Sequence, residues 1–165
     1  MRKQQKGFSL IELLIVVAII LIIAAIAIPN LMRARMSANE ASAVGSVRSI
    51  NTAEISYNAA YSDLGFTTTL AQLGGAAGAA CTPGTGTGCF IDSSLSSGTK
   101  SGYSFTTGLG AAGTGLPLND YSVTAAPTVP NQTGTRYFCS FEDAVVRSST
   151  AAITPPCAAT VTALQ

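Results

Sequence analysis

Residues 8–28 carry one ionisable side chain, Glu12, in an otherwise aliphatic run. As an α-helix this stretch would span roughly 31 Å, enough to cross the hydrocarbon core of a bilayer. An ionised carboxylate within such a span costs about 2.5–3.5 kcal/mol on insertion scales, so Glu12 needs a partner or a task. No other feature limits the possible folds as strongly. The run must be covered by lipid or by copies of itself.

Ahead of it stand Arg2, Lys3 and Lys6, with no acid, and then Gly7. That charge balance favours a cytoplasmic N-terminus, with everything after Pro29 on the far side of the membrane. The small-residue junction precedes the apolar run, whereas a secretory signal peptide places it after. A cut after Gly7 would leave the apolar helix in the mature protein.

The string from Lys6 through Pro29 resembles the N-terminus of type IV pilins and the related pseudopilins of type II secretion systems. Four positions carry the likeness: Gly7 as last leader residue, Phe8 as new N-terminus, Glu12 as fifth mature residue and Pro29 as twenty-second. The resemblance covers roughly the first third of the chain. It implies leader removal by a prepilin peptidase, N-methylation of Phe8 and polymerisation through the N-terminal helix. It also implies an inner-membrane assembly platform as partner.

Without residues 1–7 the side chains sum to about −2, six basic against eight acidic. This leaves no electrostatic footprint for nucleic acid. Histidine is absent, which removes imidazole bases, histidine-ligated zinc and histidine triads. No cofactor is expected, and the inventory argues against an enzyme. Cys81, Cys89, Cys139 and Cys157 all lie beyond the apolar run, in the half expected to be exported, where an even number reads as a disulfide framework. Three pairings are open. Cys81 with Cys89 and Cys139 with Cys157 is the favoured one, because each closes a short loop. A four-cysteine zinc site wants CxxC spacings that are missing, so no metal site is expected.

Residues 30–64 read as a continuing helix that turns amphipathic. Met36, Ala43, Ile50, Tyr57 and Leu64 recur every seven positions, with Val47 and Tyr61 beside them. Arg33, Arg35, Arg48, Asn39 and Asn51 suit a wetter face, while Glu40 and Glu54 fall close to the stripe and blur it. Pro29 cannot donate to the Ala25 carbonyl, so a kink or local melting is expected around 25–29. A helix from Phe8 to Leu64 would be roughly 85 Å long, too long for the remaining hundred or so residues to cover.

Residues 65–101 turn to loop composition rich in Gly and Thr, with a short helical turn near 67–73 capped by Thr69. The glycines form no phosphate loop, since no Gly-Lys-Ser/Thr follows them. Residues 102–165 read as antiparallel sheet. Strands are expected at 103–106, 121–124, 137–141 and 144–147, with Gly/Pro-rich separators at 108–117 and 126–135. The tail carries Pro155, Pro156 and Cys157. Asn131-Gln132-Thr133 matches a glycosylation sequon, to which no weight is given. The expected fold is α+β: a long N-terminal helix packed on a small antiparallel sheet of three to four strands.

Glu12 has two readings. As a tolerated acid it would reach the headgroups. Alternatively, cleavage creates a cationic amine at Phe8, and in a bundle of staggered copies Glu12 of one subunit meets that amine of another. An unpaired buried ion costs roughly several kcal/mol, so such a pair would set register. The resemblance thus implies a subunit held in the inner membrane as a precursor and then built into an extracellular pilus serving adhesion, motility or DNA uptake. A pseudopilin is the alternative. Proteins similar to the major pseudopilin carry calcium-binding acids near the C-terminus, whereas residues 102–165 hold only Asp120, Glu142 and Asp143.

Overall fold

The computed structural model describes residues 8–76, 80–84, 86–110 and 117–164. Two compact units emerge, Met1–Arg35 and Met36–Gln165.

Helix α1, Leu10–Ala60, enters both units. In the first unit it is built largely of Ile, Val, Leu and Ala. The β-branched members are mediocre helix formers in water, but a helix satisfies every backbone group within itself, which an apolar environment demands. The helix runs unbroken through Pro29, so of the two outcomes expected at 25–29, a kink or local melting, the melting is not present. One missing N–H is tolerated where the turns on either side keep their own bonds.

In the second unit α1 buries Ala43, Val47, Ile50, Ala53 and Tyr57. Asn51, assigned above to the wetter face, is instead buried. Its Nδ2 donates to Ser140 Oγ at 2.9 Å and to the Ala144 carbonyl at 3.3 Å. The helix stops at Ala60 rather than Leu64. The N–H groups of Leu64 and Gly65 both turn back to the Tyr61 carbonyl. Gly65 has φ +80°, and a Cβ there would stand 2.2 Å from the Leu118 carbonyl oxygen. Only glycine fits this left-handed turn, which ends the helix and hands the chain to Leu118.

A short helix α2, Leu70–Gly74, follows Thr69, whose N–H donates to Gln72 Oε1 at 3.1 Å. The next loop is stitched to α2 by Gly88 N–H to the Gln72 carbonyl and Phe90 N–H to the Leu73 carbonyl. Cys81 and Cys89 are disulfide-bonded across it, with Cα atoms 5.8 Å apart. Helix α3, Ser93–Ser96, is N-capped by Asp92, which accepts from the Leu95 N–H at 2.8 Å.

The sheet has five strands in sequential order, every pair antiparallel: β1 Thr99–Lys100, β2 Tyr103–Leu109, β3 Tyr121–Pro127, β4 Tyr137–Phe141 and β5 Arg147–Ser149. That is one strand more than expected, and the sheet starts before residue 102. The first two long strands also run into the stretches read as separators. The fourth expected strand, 144–147, begins only at Arg147. Ala144 is taken up by the turn, with φ +56° and its N–H bonded to the Phe141 carbonyl. Tyr103, Phe105, Tyr121, Val123, Ala125 and Phe138 face α1 and form one core with it. On the other face Cys157 is bonded to Cys139 and donates its N–H to Ser122 Oγ at 2.7 Å. The chain then returns along β5, where Ser148 N–H meets the Thr162 carbonyl.

Candidate functional site

From Phe8 to Met32 the large apolar side chains of α1 are solvent-exposed, Leu10 at 76% and Ile22 at 65%. Each would gain about 1.5–3 kcal/mol on leaving water, so the surface as it stands is incomplete. Leu10, Leu13, Leu14, Val17, Ala18 and Leu21 line one shallow groove along it. Their spacing of three and four marks a single helix face able to receive a second helix. Among the described residues α1 is long and apolar enough to cross a membrane, which fits a membrane-anchored form of the chain.

Glu12 stands at the start of this face. Its Oε2 accepts from the Ser9 N–H at 3.3 Å, while the Ser9 carbonyl accepts the first helical bond from Leu13 N–H at 3.2 Å. Ser9 is thus the N-cap and Glu12 the third helical residue, the backward half of a capping box. The sequence reading missed this, although Ser9 and Glu12 have the Ser-x-x-Glu spacing that signals it. The carboxylate is held at the positive end of the helix dipole. Oε1 has no partner among the described residues and can take a second donor. Phe8, two residues ahead of the first helical position, is 76% exposed. Gly7, the other half of the expected cleavage junction, lies outside the described residues. Pro29 sits within α1 and all four cysteines lie in the second unit.

Two further acids matter that the sequence reading treated as blemishes in a stripe. Glu40 is buried and accepts from Thr135 N–H at 2.8 Å, Thr135 Oγ1 at 2.9 Å and Arg136 Nε at 2.8 Å. Burial by itself would push its carboxyl up, but these donors outweigh that and hold it below the usual carboxylate range. Glu54 has no cationic partner among the described residues. Burial pushes its carboxyl up to about 7, only partly opposed by the Thr67 N–H and hydroxyl. The one signal that could have found both is an acid recurring fourteen positions apart on the buried face. Among the described residues no cluster of three or more His, Cys, Asp or Glu could hold a metal ion.

Comparison with known proteins bears on the first unit. Residues 2–28 match the family described as the prokaryotic N-terminal methylation motif. Over 38 residues the chain is 63% identical to the type IV wide pilus major component PilA4 of Thermus thermophilus. That stretch is 23% of this chain and 29% of the relative, so the chain spans less than a third of the curated relative it matches. No solved structure matches the chain. Both likenesses fall on the N-terminal segment, which is similar to that of a type IV pilin.

Proposed function

We propose that this chain is the structural subunit of an extracellular type IV pilus. On this reading a prepilin peptidase removes residues 1–7 and methylates the amine of Phe8. The mature chain waits in the inner membrane and is then polymerised by the assembly platform. Adhesion, motility and DNA uptake are the roles such a fibre would serve.

The observation that carries this is the bare apolar face of α1 with one acid at its head. In the membrane, lipid covers that face. In a fibre, the same face of other copies covers it, and the apolar contact is retained as the subunit moves from one to the other. Glu12 Oε1 accepts from the cationic Phe8 amine of a neighbour, while Oε2 keeps its bond to Ser9. A copy docked out of register leaves both ions buried and unpaired, so the pair selects the stagger. Pro29 bends the bundled helices.

The test is electron microscopy of material sheared from the cell surface, with mass spectrometry of any fibre. The reading expects fibres of this chain beginning at N-methylated Phe8. A chain confined to the periplasm would fit a pseudopilin, and a fibre still carrying Arg2 and Lys3 would contradict the processing scheme.

A further inference from the structure

Arg136 is fixed more firmly than a half-exposed arginine needs to be. Its Nε donates to Glu40 Oε2 at 2.8 Å, and its guanidinium carbon lies 5.5 Å from the centroid of the Phe138 ring. One edge and one face are therefore held. The two Nη atoms have no partner among the described residues.

This open edge borders two depressions in the surface of the second unit. One, of about 480 Å³, is lined by Arg136 with Ser148, Ser149, Thr150, Thr160 and Thr162. The other, of about 430 Å³, contains Arg136, Arg48, Ser37, Glu40 and Leu164. Arg48 is exposed and makes no ion pair among the described residues, where Lys100, Arg136 and Arg147 take Asp92, Glu40 and Asp143. Both Glu40 oxygens are already engaged. Among the described side chains lining the double depression, two guanidiniums stand against one carboxylate, beside a wall of hydroxyls.

We propose that this double depression binds an acidic saccharide, a short hexuronic-acid oligomer. One sugar carboxylate takes the free edge of Arg136 in the forked geometry that guanidinium offers, and a second reaches Arg48. The sugar hydroxyls exchange hydrogen bonds with Ser148, Ser149, Thr160 and Thr162, whose hydroxyls both donate and accept. A bare anion would leave that wall idle. A single-stranded nucleic acid would want aromatic side chains to stack its bases, and the depressions have none lining them. The site does not depend on the chain forming a fibre.

The test is fluorescence anisotropy of labelled tetragalacturonate titrated with the full chain in detergent micelles. Tetragalacturonate should bind, and its methyl ester should bind about tenfold more weakly because the charge-assisted pairs are lost. Arg136→Lys keeps the charge but loses the fork and should weaken binding about tenfold. Thr160→Val combined with Thr162→Val, exposed positions outside the core, should weaken it several-fold and guards against misfolding of the arginine variant. Arg33→Gln, outside both depressions, should leave binding unchanged. Equal binding of acid and ester, an equal loss from Arg33→Gln, or equally tight binding of an oligothymidylate of the same charge would each overturn the proposal.

Discussion

The Glu54 carboxylate, wholly buried on α1, accepts from both the backbone N–H and the hydroxyl of Thr67, at 2.9 Å and 2.7 Å. The bonds tie the helix to the loop that follows it. They are not strong enough to keep the group ionised at low pH, because desolvation outweighs them and pushes the carboxyl up to about 7 from an ordinary 4.5. The titratable groups beside it do not help: Tyr57 on the same helix and Tyr121 on β3 are neutral phenols, whose own ionisation burial and the nearby carboxylate disfavour.

A pH dependence follows. Between about 4.5 and 7 the folded chain holds a proton at Glu54 that the unfolded chain has released. Stability conferred by the protonated, buried group is therefore full below about 4.5 and falls as pH rises towards 7, by about 3 kcal/mol in all. Thermal melting followed by circular dichroism should show Tm dropping over that window. Glu54→Gln should flatten the drop, and an unchanged slope in the variant would remove Glu54 as its source.

Glu40 behaves in the opposite sense. Its lowered carboxyl adds stability that is present above about 4.5 and lost in stronger acid. Glu40→Ala removes the acceptor for Thr135 and Arg136 and should cost about 2–4 kcal/mol, read as a fall in Tm at neutral pH. Glu40→Gln should retain part of it.

Tyr121 gives a prediction of the other sign. Its hydroxyl is buried without a hydrogen-bond partner among the described residues, while its ring packs 4.8 Å from that of Phe66. Tyr121→Phe keeps the ring contact and removes the unpaired group. It should be neutral or stabilise by about 1 kcal/mol in chemical denaturation. A clear loss would mean the hydroxyl has a bound partner such as water.

The Cys139–Cys157 bond closes a separation of 18 residues and anchors the tail on the outer face of the sheet. Cys139→Ser with Cys157→Ser should cost about 3 kcal/mol through the freed unfolded chain. Hydrogen exchange should show the tail and β5 losing protection before β2 and β3.

That residues 10–35 form one apolar helix was legible in the sequence, because so long an aliphatic run has few alternatives. The strand cores at 103–106, 121–124 and 137–141 were legible from alternation. Their true lengths were not, since whether Gly108 or Pro127 closes a strand depends on a partner elsewhere in the chain. Glu40, Glu54 and Asn51 were misread for one physical reason. A polar side chain on a buried stripe looks like an error until its partners, here Thr135, Thr67 and Ser140, arrive from segments 13 to 95 residues away. The Ser9–Glu12 cap was visible but was overlooked beside the stronger question of what the charge is for.

That question has a direct test. Glu12→Gln can still accept from the Ser9 N–H and so keep the helix cap, but it cannot neutralise a neighbour's amine, whereas Glu12→Ala loses both. The yield of sheared fibres from cells expressing each variant, at equal membrane levels of the chain, is the measurement. The account predicts that both variants lose fibres. Normal yield from Glu12→Gln with loss only in Glu12→Ala would show that the acid serves its own helix and not the next subunit.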